Sequence, residues 1–168
     1  MNKAVLFLAT LGPIGKNLPA PGTMGSLAGT ILFGVLTVGM GWSVQLIALC
    51  FFPLFLLGIP LCTRAEILLD QDDPGEVIWD EFCVIPFVYL PLSSFLEQPV
   101  SQETFIWIAA GFILFRFFDI SKPWIIRSVQ KLPRGWGVMI DDLLAAGAAA
   151  LVLWGAKTFS LSFFPAAI

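Results

Sequence analysis

The sequence predicts an all-α, polytopic membrane bundle of about four to five spans, opened by a short N-terminal interfacial or re-entrant segment. Three observations predict it. Apolar side chains make up 58% of the 168 residues and charged ones only 12%, against about 45–50% and about 25% in an ordinary soluble domain. Mean hydropathy is +0.89, and folding a chain of this size covers only roughly 70% of its surface, so the apolar excess faces lipid. Apolar residues also gather into the stretches Gly25–Trp42, Val44–Cys62, Phe82–Leu96, Thr104–Ile120 and Val138–Phe159, near the roughly 20 residues a helix needs to cross a bilayer.

In chain order, Lys3 followed by Ala4–Leu11 imitates a signal peptide, with Leu18-Pro19-Ala20 as its apparent cleavage site. Pro21 directly after that site argues against cleavage, which leaves residues 4–14 as the short interfacial or re-entrant helix. The first apolar stretch is rich in glycine, and its Gly25-x-x-x-Gly29 spacing lets helices approach closely. The second, fourth and fifth stretches read as plain spans. The third is short and carries Pro86 and Pro91, so it either crosses with a kink or turns back. Ala145–Ala150, with Gly147 among them, predicts a second close-packed face. Neither repeat nor linker divides the chain, and residues 1–168 read as a single domain.

Composition removes several functions. The chain has no histidine, which excludes His-ligated zinc, Ser-His-Asp triads and phosphohistidine chemistry. A net charge of −3 without a basic stripe argues against nucleic acid. Cys50, Cys62 and Cys83 lack metal spacing and read as small buried hydrophobes. Gly12–Lys16 (GPIGK) lacks the spacing of a nucleotide-binding loop.

Charges sort by side once the N-terminus is placed in the cytoplasm and every stretch crosses. Lys3, Lys16, Arg64, Lys122, Arg127, Lys131 and Arg134 then share the cytoplasmic side, with Lys157 alone opposite, as cytoplasmic loops require. Arg127, Lys131 and Arg134 would meet anionic lipid headgroups. Glu66, Asp70, Asp72, Asp73, Glu76, Asp80 and Glu81 precede the third stretch, Asp119 closes the fourth, and Asp141 and Asp142 open the fifth. Thus Asp80, Glu81, Asp119, Asp141 and Asp142 reach one membrane depth from three helix ends.

Carboxylates near hydrocarbon are costly, and several together repel and protonate unless a cation joins them. Mg²⁺ fits, since it takes a few carboxylates together with phosphate oxygens. Helix starts alone would account for Asp80, Glu81, Asp141 and Asp142, but not for Asp119 at a C-terminal end. Arg116, Asp119 and Lys122 share a face if their helix continues to Pro123. They form either an internal ion pair with Arg116 reaching to the interface or a grip on phosphate. Thr23, Gly25 and Ser26, at a glycine-rich helix start, either offer amides to that phosphate or cap the helix.

Three blocks then match a family. PAPGTMGS (Pro19–Ser26), GEVIWDEF (Gly75–Phe82) and FRFFDISKPW…GWGVMIDDLLAAG (Phe115–Gly147) resemble the phosphatidylglycerophosphatase A family of bacterial inner-membrane lipid phosphatases, in order along nearly the whole chain. The resemblance implies Mg²⁺-dependent hydrolysis of phosphatidylglycerophosphate to phosphatidylglycerol and inorganic phosphate, in glycerophospholipid biosynthesis. The active site would face the cytoplasm and membrane lipids would surround it. Metal would rest on Asp80, Glu81, Asp141 and Asp142. Asp119, Lys122 and Asp142 would be catalytic, and Thr23, Gly25, Ser26, Arg116 and Lys122 would bind phosphate. Asp119 is left as metal ligand, base or orienting group for Lys122, and the oligomeric state is left open. Val84 stands where the family has glycine, and Gly135-Trp136-Gly137 replaces its paired glycines. The competing expectations are a small transporter, which would place its acids mid-span, and another metal-dependent lipid headgroup enzyme, whose D-G-x-x-A-R run is missing.

Overall fold

The computed structural model describes residues 2–163, and the regular structure among them is helical. Helices α1 (Asn2–Ala9) and α2 (Ile14–Asn17) precede α3 (Pro21–Gly34), which continues as a π-helical turn over Val35–Gly39. Then come α4 (Val44–Leu69), α5 (Trp79–Cys83), α6 (Ile85–Val88), a 3₁₀ turn at Leu90–Leu92 and α7 (Ser93–Leu96). Helices α8 (Gln102–Ser121), α9 (Trp124–Val129) and α10 (Gly135–Phe163) complete the bundle. Among the described residues, four helices are long and apolar enough to cross a membrane: α3 with its π turn, α4, α8 and α10. Their outer faces carry exposed Ile31, Leu49, Phe105, Ile113 and Leu151, the surface that the composition assigns to lipid.

Boundaries differ from expectation for local reasons. Residues 4–14 are not one helix, because Leu11 and Gly12 adopt φ of 47° and 67° between α1 and α2. Ala9 is fully buried and its carbonyl accepts the Ile78 N–H at 2.9 Å. Helix α3 begins at Pro21 rather than Gly25, since proline suits the first helical turn, and its helical run stops at Gly39 rather than Trp42. Helix α4 runs seven residues past its apolar stretch because Cys62, Ala65 and Glu66 continue its buried stripe. Helix α8 stops at Ser121, and Lys122 caps it in the left-handed region at φ 39°. Pro123 follows, and a residue before proline is pushed out of the helical region.

The third stretch is not a single helix. Pro86 and Pro91 each sit in the first turn of a new short segment, so the chain advances as α5, α6, the 3₁₀ turn and α7. It does not turn back. Asp80 lies beside Asp142 of α10 at one end, while at the other Glu97 Oε1 accepts the N–H of Val44 at 3.2 Å. Midway, Tyr89 is fully buried, stacks on Phe33 at 4.4 Å and donates its hydroxyl to the Ile108 carbonyl at 2.7 Å. Val84, Ile85 and Val88 are likewise fully buried. Broken backbone is tolerated around Val84, Ile85, Val88 and Tyr89 because protein packs over it.

Glycine lets this broken segment nest against α3. A Cβ on Gly25 would meet Ile78 at 2.9 Å, and one on Gly29 would meet the Phe82 carbonyl at 2.6 Å and Ile85 at 2.9 Å. Gly147, expected on a packed face, instead has open space where its Cβ would be, although Ala145, Ala146, Ala149 and Ala150 are buried. Opposite outcomes follow for two alanine substitutions. Gly29→Ala should lower stability by about 1–3 kcal/mol through overpacking. Gly147→Ala should leave it unchanged or raise it by up to about 1 kcal/mol through helix propensity. Thermal unfolding in detergent measures both. Cys62 and Cys83 are buried as expected, whereas Cys50 is exposed on α4; all three thiols are free.

Candidate active site

At the end of the bundle where α3 and α10 begin and α8 stops, a cleft of about 280 Å³ opens among charged side chains. Helix α5 supplies Asp80 and Glu81 in its first turn, anchored on α4 by the Trp79 indole N–H, which donates to the Leu54 carbonyl at 3.1 Å. Helix α10 supplies Asp142. One oxygen from each of Asp80, Glu81 and Asp142 lies within 4.8 Å of the other two. Asp80 Oδ1, Glu81 Oε2 and Asp142 Oδ2 are buried without a hydrogen-bond partner. Unpartnered buried carboxylate oxygens are among the costliest groups a fold can hold. Three such carboxylates drawn together are what a hard divalent cation satisfies, and an all-oxygen donor set suits Mg²⁺ rather than zinc. The residues fit that ion.

Asp80 and Glu81, which lie outside the four long helices, register the strain of sharing this space. Burial, then the neighbouring Glu81 carboxylate, hold Asp80 well above the ordinary carboxylate range. Burial pushes Glu81 up to about 7, with the Asp119 charge adding to the rise and Arg116 opposing it.

Two cations face the trio. Arg116 Nη1 donates to Asp119 Oδ2 at 2.5 Å and to Ser26 Oγ at 3.2 Å, and lies 3.9 Å from Glu81 Oε1. Its side chain is only 15% exposed, so it stays in the cleft instead of reaching out to the interface. Lys122 Nζ donates to Asp141 Oδ2 at 2.6 Å and lies 4.0 Å from Asp73 Oδ2. Burial works against the Lys122 charge, but the Asp141 hydrogen bond and charge outweigh it and raise its pKa above the usual lysine value.

The expected residues are thus partly regrouped. Asp80, Glu81 and Asp142 meet. Asp141 turns one oxygen to Lys122 and leaves Oδ1 buried without a partner. Because α8 stops at Ser121, Lys122 leaves the face of Arg116 and Asp119; Asp119 orients Arg116, not Lys122. Ser26 does not cap α3. It donates to the Gly22 carbonyl at 2.8 Å and receives Arg116, while the residue before the helix is Ala20, without a side-chain cap. Gly25 packs on Ile78 away from the cleft, and Thr23 does not line it.

Gly22 and Asp73 line the cleft, though sequence reasoning had Gly22 only as part of a glycine-rich helix start and Asp73 only as one acid of its loop. A Cβ at Gly22 would collide with Glu81 Oε1, so glycine there makes room for the carboxylate. Asp73 reaches Lys122 only through the fold of the loop after α4, in which Asp70 and Asp73 take φ of 50° and 48°. Lys122, at φ 39°, completes a set of strained non-glycine residues beside the cleft, and such strain concentrates at functional sites. Val84 fills the core completely and Trp136 is half exposed, so neither departure from the family pattern removes a charged group.

Four helices long and apolar enough to cross a membrane, with a broken helical segment packed among them, gather a carboxylate trio, a guanidinium and an ammonium at one end, the architecture of a membrane-type helical bundle with a charged cleft. The chain belongs to the phosphatidylglycerophosphatase A family, whose model matches residues 7–157. It is therefore of the phosphatase class. It is 44% identical over 146 residues to the phosphatidylglycerophosphatase A of Haemophilus influenzae, covering 85% of this chain and 82% of that one. It is 35% identical over 152 residues to the Escherichia coli K12 protein of the same name, covering 90% and 79%. No solved structure matches the chain.

Proposed function

We propose that this protein hydrolyses the terminal phosphate of phosphatidylglycerophosphate, with Mg²⁺ bound, at the cytoplasmic face of a bacterial inner membrane. The observation that carries the reading is the set of orphaned oxygens on Asp80, Glu81 and Asp142 facing Arg116 and Lys122 across one cleft. The family of the chain supplies the substrate.

Phosphomonoester hydrolysis is among the slowest uncatalysed reactions. It asks little covalent work of a protein, so positioning and charge neutralisation carry most of the barrier reduction. Asp80, Glu81 and Asp142 would hold the Mg²⁺, with Asp141 beside them; when bound it supplies positive charge against phosphoryl oxygens. Arg116, held between Asp119 and Ser26, and Lys122, held by Asp141, bring two further positive charges to the same group. Both cations are fixed by their partners before substrate arrives, which is the preorganisation that electrostatic catalysis requires. The acyl chains would lie along the exposed apolar faces of the long helices.

The side assignment rests on charge. Arg64, Arg127, Lys131 and Arg134 belong to the end that carries the cleft, whereas Lys157 lies at the other end, 3.5 Å from Glu103. A transporter is disfavoured because the acids cluster at helix ends and not mid-span.

Purified protein in mixed micelles should release phosphate from phosphatidylglycerophosphate. EDTA should reduce the rate by at least about 100-fold, and Mg²⁺ should restore it. No release from that lipid would overturn the substrate, and full turnover in EDTA would overturn the metal.

A further inference from the structure

Beside the phosphatase cleft lies a second cavity of about 360 Å³ that shares two of its walls, Asp73 and Val138. Its lining carries both signs of charge. Glu66, from the last turns of α4, and Asp72 and Asp73, from the loop after it, line it together with Gln130, Lys131 and Arg134 from the α9–α10 connection. Glu66 is only 6% exposed. Its Oε1 accepts the Asp73 N–H at 3.4 Å, and its Oε2 is buried with no partner. Lys131 and Arg134 are exposed.

An acceptor-only oxygen beside a cavity calls for a donor, and Lys131 and Arg134 in the same lining suit an anion. A divalent metal is the poorer occupant: among the described residues, Glu66 joins no group of three carboxylates close enough to share one. The substrate already proposed carries both complementary features next to its terminal phosphate, a free secondary hydroxyl on the bridging glycerol and then a phosphodiester.

We infer that this second cavity is the headgroup subsite, with Glu66 accepting the hydroxyl of the glycerol bridge and Arg134, with Lys131, facing the phosphodiester. The inference rests on the hydrolase reading above and extends it from the reacting phosphate to the part of the lipid that distinguishes one phosphomonoester from another. Glu66 thereby becomes a specificity residue, tied through Asp73 to the same loop that faces Lys122. A site built to bond a hydroxyl discriminates against an analogue lacking it, since the buried acceptor is then left unpaired.

The test compares phosphatidylglycerophosphate with its deoxy analogue, in which a propane-1,3-diol bridge replaces glycerol. Wild-type protein should favour the hydroxylated lipid in kcat/KM by about tenfold or more. Glu66→Ala should bring that ratio close to one. Arg134→Gln, in an exposed connection, should raise KM for both lipids severalfold and keep the ratio. A wild-type ratio near one, or a ratio untouched in Glu66→Ala, overturns the inference while leaving hydrolysis in place. If Glu66→Ala does not fold, the wild-type ratio and the Arg134→Gln split still decide it. Failure of the wild type to release phosphate from either lipid removes the hydrolase reading and this inference together.

Discussion

Replacing Asp142 by asparagine should cost about 10³-fold or more in phosphate release while making the metal-free protein more stable. The two effects have one origin. Asp142 is 3% exposed, its Oδ2 is unpartnered, and it faces Asp80 and Glu81. Without a cation, these carboxyls either repel one another in a place that denies them water or take up protons to avoid it, and removing one relieves that penalty. An amide of the same shape keeps the packing of α10 and removes the charge that holds Mg²⁺. The melting temperature in EDTA should therefore rise, by roughly 2–4 °C for each kcal/mol of repulsion relieved. The Mg²⁺-induced increase seen with wild type should vanish, because a ligand stabilises only a fold that binds it. Glu81→Gln should behave in the same way. Retained turnover in both variants, or an unchanged response to Mg²⁺, would dismiss the trio as a metal site. A drop in metal-free stability would instead mark Asp142 as a packing residue.

Much of this geometry was legible in the sequence because charge in an apolar chain has few places to go. Asp80, Glu81, Asp119, Asp141 and Asp142 stood at helix ends, and counting Lys and Arg by side was enough to put them at one depth. What escaped was set by backbone turns. The pairing of Lys122 with Asp141 instead of Asp119 depends on α8 stopping at Ser121 and on a left-handed Lys122, which Pro123 hinted at but did not determine. Asp73 was one acid among five before Asp80 until the loop after α4 turned it toward Lys122. The third apolar stretch was ambiguous for a different reason. Its two prolines rule out a straight helix whether the chain crosses or returns, and burial of Tyr89 between Phe33 and Ile108 is a tertiary fact. Gly22 and Gly25 show the limit of reading glycines by motif: three residues apart in one block, one clears space for Glu81 and the other for Ile78.

Lys122 offers the sharpest separation of catalysis from stability. Its Nζ is held by Asp141, whose side chain is 1% exposed, so Lys122→Ala strands a buried carboxylate and should destabilise the fold by about 1–3 kcal/mol. Lys122 also sits at φ 39°, where a side chain costs roughly 1–2 kcal/mol and glycine costs nothing. Lys122→Gly should therefore recover about 1 kcal/mol relative to Lys122→Ala while losing the same ammonium. If Lys122 neutralises the phosphoryl group, both variants should fall by about 10²–10³-fold in kcat with a smaller change in KM, despite their different melting temperatures. Lys122→Arg should keep the charge but not the compact ammonium geometry, and should recover only part of the rate. The rival account makes Lys122 a helix cap and a topological marker. On that account turnover would track stability, with Lys122→Gly the more active of the two, and the defect would show as misinsertion when cysteines placed on either side of the membrane are labelled. Normal labelling together with equally low kcat in the alanine and glycine variants leaves the ammonium at the phosphate as the function of the residue.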